Sequence, residues 1–396
     1  MVKKEQKDRR MRVMWGSNGH WSNSGYGVET QYILKRMVRE GWVVGESAFY
    51  GLDSFPIELD GIKVYPKMAD VFGSDALFFH SNDFKADISF TMQDVWPLQA
   101  DFLTKLKCWI PYTPIDKDPV PSPVLDKLRY AYRIITFSKY GQETLEKHGF
   151  TSELIVEGTD PDIYKPLGRN EMRKLHGFPE DIFLFGVVGA NKENPPRKGF
   201  QEMLEAFSLF YKNHPDSALF FHTQQVQPGN FPIVEYARYL GFGHRVFFMD
   251  AYRGSYLSGP LEIAKEINMF DACLHPSQTE GFGLVVVEAQ SCGIPVIVNR
   301  CMSMPELVVE NKTGWICETD KPRWTSENSF VFPANVDSLY SKMEEVYKKL
   351  HESNTVKEDC RNHILQNYDI NVIFKDRWLP FLERLQVELL GKPDQK

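Results

Sequence analysis

The sequence predicts an α/β protein of two doubly wound parallel-sheet domains that face a cleft. Three observations predict it. The chain has 396 residues, more than one hydrophobic core comfortably serves. Short apolar runs alternate with stretches of helical periodicity in both halves, the pattern of parallel strands covered on both faces. Between the halves, "TDPDIYKPLGRNEMRKLHGFPED" is polar and proline-rich and reads as an interdomain crossing. The expected division is 1–160 and 161–370, with a terminal helix of about 371–396 returning to the first domain.

The elements follow in order. "MRVMW" is a short apolar strand, and "GSNGHWSNSGYG" a loop rich in Gly, Ser and Asn. "VETQYILKRMVREG" has helical spacing and ends in glycine. "WVVGESAF", "IKVYP", "ADISFT", "LKCWIPY" and "RIITFS" read as strands, while "ALFFHSNDF" fits helix or strand. "SKYGQETLEKHG" is a helix with Ser138 as N-cap and Gly149 after it. The second half restarts with the strand "IFLFGVVG" and the amphipathic helix "GFQEMLEAFSLFYKNHP". The strands "ALFFHT" and "RVFFMD", the helix "GPLEIAKEINMF", the strand "ACLHPS", the helix "LVVVEAQSCG" and the strand "PVIVN" follow. The tail "NVIFKDRWLPFLERLQVELLG" reads as a helix broken near Pro380.

Composition excludes several classes. Hydrophobic content of 42% and charged content of 25% are those of an ordinary globular protein. A net charge of −7 argues against binding nucleic acid through phosphate contacts. The six cysteines form no CxxC pair and read as free thiols. No apolar run reaches about 18 residues, so no transmembrane helix is expected. "MVKKEQKDRRMRVMWG" lacks an apolar h-region and reads as a solvated tail, with a basic membrane anchor as the sharper alternative. A cytoplasmic protein is expected, with peripheral membrane association open. An apolar-basic patch near Trp15 and Trp21 would support the latter.

Three stretches carry candidate chemistry. In "NKENPPRKGF", Arg197 and Lys198 precede Gly199 and a helix, and two cations at a helix N-terminus suit a diphosphate. Read alone, the stretch is an exposed basic loop. "TEGFGLVVVEAQSCGIPVIV" places Glu280 before a turn and Glu288 within a helix. The turn offers consecutive backbone N–H groups to hydroxyls or phosphate. Glu280 could accept from sugar hydroxyls and Glu288 could reach a ribose diol. Alternatively Glu280 is solvated and Glu288 is paired with an internal Lys or Arg. The loop "GSNGHWSNSGYG" could approach a phosphate or an acceptor, although it lacks the G-x-G-x-x-G spacing.

Taken together, these residues resemble the retaining nucleotide-sugar glycosyltransferases of family 4, which have the GT-B fold of two Rossmann-like domains. "IVEGTDPDIYKP" resembles the family's "PNGVD…F.P" crossing, and "RKG" its diphosphate pair. "EGFGLVVVE" is similar to its E-x7-E signature, and "MPELVVENKTGWIC" to its "PE-V-G-TG" segment. The resemblance implies a donor domain in the second half and an acceptor-side domain in the first. It implies that Arg197 and Lys198 bind the donor diphosphate, Glu280 the transferred sugar and Glu288 the ribose. Backbone N–H groups of Phe282, Gly283 and Leu284 would lie near sugar or phosphate. The loop around Tyr252 and Arg253 would grip the base, and Gly25, Tyr26 and Gly27 would lie near phosphate or acceptor.

Departures from the family are visible. No histidine follows "LKCWIPY", where the family carries one near the reacting sugar. His20 and His80 are substitutes away from the matching place, with His80 read as a core residue. Asp94 and Asp116 are candidates for the acceptor side. The family's double glycine before "PE" is Met302-Ser303-Met304 here. With Arg197, Lys198 and a helix N-terminus to neutralise the diphosphate, no metal is required and no cofactor is expected. "Asp116-Lys117-Asp118" has the DxD form of metal-dependent transferases, as has "Asp160-Pro161-Asp162". The expected partners are a nucleoside-diphosphate sugar and an acceptor that could be lipid, glycan, protein, small molecule or modified base. A sugar-nucleotide epimerase or hydrolase, or a non-catalytic nucleotide-sugar-binding partner, are the alternatives.

Overall fold

The computed structural model describes residues 9–223, 225, 229–250 and 259–391. The chain divides into two compact units. Unit 1 comprises Met1–Ile115, Val120–Glu157 and Ile370–Lys396, and unit 2 comprises Asp116–Pro119 and Gly158–Asp369.

Unit 1 runs β1 (Arg12–Asn18), α1 (Gly25–Arg39), β2 (Val43–Tyr50), β3 (Ile57–Leu59), β4 (Ile62–Tyr65), α2 (Ser74–Phe84) and β5 (Ile88–Met92). It continues with α3 (Ala100–Leu103), β6 (Trp109–Thr113), α4 (Ser122–Leu128), β7 (Ile135–Thr136), α5 (Lys139–Lys147) and β8 (Glu153–Leu154). The sheet order is β3-β4-β2-β1-β5-β6-β7-β8. All neighbours are parallel except β3 and β4. The winding direction therefore reverses between β1 and β5, a switch point where such sheets take up ligands beyond the strands' carboxyl ends.

Several local expectations change here. "ALFFHSNDF" is helical: Leu77, His80, Ser81 and Phe84 are buried, a helical spacing that a strand would split between two faces. The antiparallel β3–β4 hairpin was not anticipated. Its turn is Asp60-Gly61 with φ of 53° and 76°, the paired left-handed residues a two-residue hairpin needs. The glycine-rich loop is shorter than expected, because α1 already starts at Gly25, capped by Ser24, whose Oγ accepts the Gly27 N–H. Trp15 is fully buried. Its ring packs against Phe90 at 5.2 Å and Trp378 at 5.7 Å, so it belongs to the core and not to a surface patch.

The terminal helical run is continuous from Ile370 to Leu390. A π-helical segment, Phe374–Trp378, leads into Leu379–Leu390. Pro380 sits in the first turn of that last segment, where a missing N–H is tolerated, so the helix is not broken there. Arg36 binds Asn371 Oδ1 at 2.8 Å, and the Met11 N–H donates to Gln386 Oε1 at 3.2 Å. Among the described residues, no helix is long and apolar enough to cross a membrane.

Unit 2 runs α6 (Arg169–Leu175), β9 (Phe183–Val188), α7 (Phe200–Asn213), β10 (Ser217–His222), α8 (Ile233–Tyr239), β11 (Val246–Phe248), α9 (Pro260–Ile267) and β12 (Ala272–His275). Then follow α10 (Leu284–Ser291), β13 (Val296–Asn299), β14 (Gly314–Cys317), the hairpin β15 (Arg323–Trp324) with β16 (Phe330–Val331), α11 (Val336–Glu352) and α12 (Val356–Asn367). The six-stranded sheet has the order β11-β10-β9-β12-β13-β14 and is parallel throughout. Its switch point lies between β9 and β12. The polar stretch read as a crossing contains α6, whose fully buried Arg173 holds Asp271 at 2.7 Å and the Met269 carbonyl at 2.9 Å. Phenylalanines fill the core, with Phe185, Phe200, Phe207, Phe210 and Phe221 fully buried. The six cysteines are buried free thiols.

Candidate functional site

The unit 2 switch point is formed by two loops, one after β9 and one after β12. Gly199 brings them together. It has φ of 73°, and a Cβ there would lie 2.4 Å from the Pro276 carbonyl oxygen. Only glycine permits that backbone approach. The Gln278 N–H then donates to the Arg197 carbonyl at 2.8 Å, which fastens the Arg-Lys pair to the turn that carries Glu280.

On this scaffold three groups converge on one carboxylate. Arg197 Nη1 lies 2.9 Å from Glu280 Oε2, and Lys198 Nζ lies 2.6 Å from Oε1. His275, at the end of β12, places Nε2 3.2 Å from Oε1. Arg197 Nη1 also donates to the Thr279 carbonyl at 2.7 Å. Burial would raise the Glu280 carboxyl, but Lys198, the His275 bond and Arg197 outweigh it and hold the group well below the usual carboxylate range. Burial and the neighbouring cations lower the His275 imidazole against the pull of Glu280, so neutral His275 donates its Nε2–H to the carboxylate. Burial also lowers Lys198. For Arg197, the charges of Glu280, Asp116 and Glu193 overcome burial and raise it. Arg197 is the most open of the four side chains at 32% exposure, so an incoming anion can reach the cationic face.

The turn that follows is equally constrained. Gly283 has φ of 119°, and a Cβ would meet Met304 Cε at 2.5 Å. Ser303 donates to the carbonyls of Glu280 and Phe282, both at 2.9 Å. Serine thus fixes the turn at the point where the family pattern has glycine. Phe282 is buried with its ring against Tyr368 at 5.9 Å. Leu284 opens α10, and first-turn amides have no intrahelical acceptor. Glu288 lies inside α10 and is buried. Burial pushes its carboxyl up to about 7, opposed by the Tyr164 hydroxyl and the His222 charge. Tyr164 and His222 stand here in place of the internal Lys or Arg that was the alternative partner for Glu288.

Other candidates fall elsewhere. Tyr252 and Arg253 lie outside the described residues. Gly25, Tyr26 and Gly27 form the first turn of α1, and Tyr26 donates to Asp94 Oδ2 at 3.0 Å. Asp116 belongs to unit 2, beside Arg197. Lys117 pairs with Glu327, and the Asp118 carbonyl accepts from the Phe330 N–H at 2.7 Å. His80 is a core residue: it bonds Ser47 Oγ at 3.0 Å, stacks on Tyr65 and is pushed down to about 4 by burial. His20 is buried between Glu46, at 2.6 Å, and Asp60, at 3.3 Å. Neither histidine joins the Glu280 cluster. His275 does, and the signal for it was a histidine ending the strand "ACLHPS" just ahead of the Glu280 turn.

The glycine contact gives a direct prediction. Gly199→Ala is expected to destabilise the protein by about 1–2 kcal/mol from the left-handed conformation alone, and to push the 276–280 turn away from Arg197. The melting temperature should fall. A wild-type value would show that the loops do not depend on this approach.

Comparison with known proteins first defines the class. The chain has the GT-B fold, and residues 168–327 match the model of the family "Glycosyl transferases group 1". The sucrose-phosphate synthase of Thermosynechococcus elongatus superposes with a TM-score of 0.77 at 15% identity, covering 95% of this chain and 99% of that one. The Anabaena HepE protein, solved in complex with UDP and glucose, gives a TM-score of 0.69 at 16% identity, covering 94% and 100%.

The D-inositol 3-phosphate glycosyltransferase of Corynebacterium diphtheriae is 28% identical over 176 residues, 43% of this chain and 39% of that protein. The chain thus spans about two fifths of the length of the curated relatives it matches.

Proposed function

We propose that this protein is a cytoplasmic retaining glycosyltransferase of family 4 that moves a sugar from a nucleoside-diphosphate sugar to an acceptor hydroxyl without a metal. The observation that carries the reading is the convergence of Arg197 and Lys198 on Glu280 at the carboxyl edge of the unit 2 sheet. The similarity to a protein solved with UDP and glucose, and to one named a D-inositol 3-phosphate glycosyltransferase, supports it.

In this reading the two cations and the amino end of α7 hold the diphosphate. Glu280 accepts hydrogen bonds from the transferred sugar and Glu288 from the ribose. The amides of Phe282, Gly283 and Leu284 face sugar or phosphate, and the loop around Tyr252 and Arg253 grips the base. The anomeric C–O bond breaks, and its electron pair goes to the diphosphate oxygen. The acceptor oxygen bonds to the anomeric carbon on the same face and gives its proton to that departing oxygen. Arg197 and Lys198 stabilise the negative charge that develops there, each by roughly 2–4 kcal/mol. The glutamates then bind hydroxyls and need not act as an acid–base pair.

A thermal-shift screen against UDP-, GDP-, ADP- and dTDP-sugars tests this. One base should raise the melting temperature, with about 2.7 kcal/mol of stabilisation at 100 times Kd. No shift with any donor rejects the reading. Product analysis sorts the alternatives: free sugar alone means a hydrolase, and binding without turnover a non-catalytic partner. Activity should persist in EDTA. Loss restored by Mn²⁺ would move the diphosphate to Asp116-Lys117-Asp118 and a metal.

A further inference from the structure

We infer that unit 1 carries an acceptor subsite at its own β1/β5 switch point, and that it takes a hydroxylated ring, a pyranose or a cyclitol, stacked on Trp96. The inference rests on the transfer reading above and deepens it by naming the acceptor class.

The topology locates the subsite. In unit 2 the loops after β9 and β12, the strands flanking its switch point, supply Arg197, Lys198 and Glu280. The corresponding loops of unit 1 follow β1 and β5. The first turn of α1, which follows the β1 loop, is joined to the β5 loop by the Tyr26 hydroxyl donating to Asp94 Oδ2 at 3.0 Å.

Trp96 stands two residues beyond Asp94. Val95 and Leu98 are buried and anchor the loop, yet the Trp96 side chain is 54% exposed. Its ring packs on Phe72 with centroids 5.9 Å apart. Phe72 comes from the loop after β4, again at the carboxyl edge, and is itself 37% exposed. Buried Gln93 donates to the Phe72 carbonyl at 3.3 Å, which holds the pair in place. A large apolar surface is thus presented to water beside a half-buried carboxylate on a braced loop. A sugar or cyclitol ring matches both: its C–H face covers an aromatic ring, and its hydroxyls donate to a carboxylate.

Charge decides against the other occupant of an exposed aromatic pair, an anionic lipid surface. The carboxylates Asp70 and Asp94 lie on these loops, Asp75 lies in the first turn of α2 beside them, and Lys67 is paired with Asp53 at 2.8 Å. Phosphate headgroups would be repelled, whereas a neutral polyol would not.

The test compares wild type, Trp96→Ala and Trp96→Phe by saturation-transfer NMR and transfer kinetics. Methyl α-D-glucopyranoside, methyl α-D-mannopyranoside and myo-inositol serve as rings, glycerol and xylitol as open chains. Ring protons should receive saturation from wild type. Trp96→Ala should raise the acceptor KM at least about 10-fold with nucleotide affinity unchanged, and Trp96→Phe should restore most of the loss. Ring binding indifferent to Trp96→Ala, equal signals from open chains, or no ring signal from wild type each overturn the subsite. Sedimentation with phosphatidylglycerol vesicles that is lost in Trp96→Ala would also overturn it and assign the pair to a lipid surface. If wild type fails to bind every nucleotide sugar, the transfer reading falls instead, and the ring-binding result still stands by itself.

Discussion

Lys198→Ala is expected to slow transfer by about 100- to 1,000-fold, the loss typical when one preorganised charge is withdrawn from a developing oxyanion. The rival explanation is structural: Lys198 lies 2.6 Å from Glu280, and its purpose could be to neutralise that carboxylate. The two accounts separate in a double variant. In the single variant Glu280 keeps Arg197 at 2.9 Å and His275 at 3.2 Å. The carboxylate is therefore not orphaned, and the loss of stability should stay below the roughly 3–5 kcal/mol of a fully broken buried pair. Adding Glu280→Gln removes the charge that needed neutralising. A structural lysine would then become dispensable, and the double variant would match Glu280→Gln alone. A lysine that meets the diphosphate would leave the double variant slower than Glu280→Gln alone. The measurement is kcat/KM beside melting temperature, and a Lys198→Ala enzyme with the wild-type rate ends the diphosphate assignment. Arg197→Ala should act in the same direction.

What the sequence could reveal here, and what it could not, follows from how each feature is encoded. The Arg-Lys-Gly step and the two glutamates are local patterns, and each lies on a loop or helix that local signals already delimit. The sheets are legible for the same reason: their strands are continuous apolar runs, such as "FLFGVV" in β9, buried along its whole length. His275 is different. Its role exists only because the turn after β12 folds Glu280 back toward the strand end, and no periodicity announces that. Ser303 carries the same lesson, since its hydroxyl matters through two carbonyls of a distant turn. Trp15 lies in the apolar run read as a strand, but its choice of core over a surface patch depends on Trp378 at the opposite end of the sequence. The Asp60-Gly61 turn is a local hairpin signal, but its flanking strands are short.

Glu288→Gln is expected to flatten the pH dependence of stability between about pH 5 and 8. Burial raises the folded-state carboxyl from 4.5 to about 7. A raised acid favours the protonated form in the folded protein, so the folded state holds the extra proton between pH 4.5 and about 7. Stability from this group is fully present below pH 4.5 and is lost as pH rises through about 7. The shift corresponds to about 3 kcal/mol at its alkaline limit. Glutamine carries no such slope, so the variant should gain melting temperature on wild type as pH rises from 5 to 8. A constant difference across that range would show that Glu288 is ionised in the folded protein throughout. The same carboxyl ties stability to the proposed ribose contact. A diol that donates to Glu288 favours the ionised form, so donor binding should release a proton near neutral pH. Calorimetry in buffers of different ionisation enthalpy reads that proton directly. Its absence in wild type, with donor affinity intact, would remove Glu288 from the ribose site while leaving Arg197, Lys198 and Glu280 in their proposed roles.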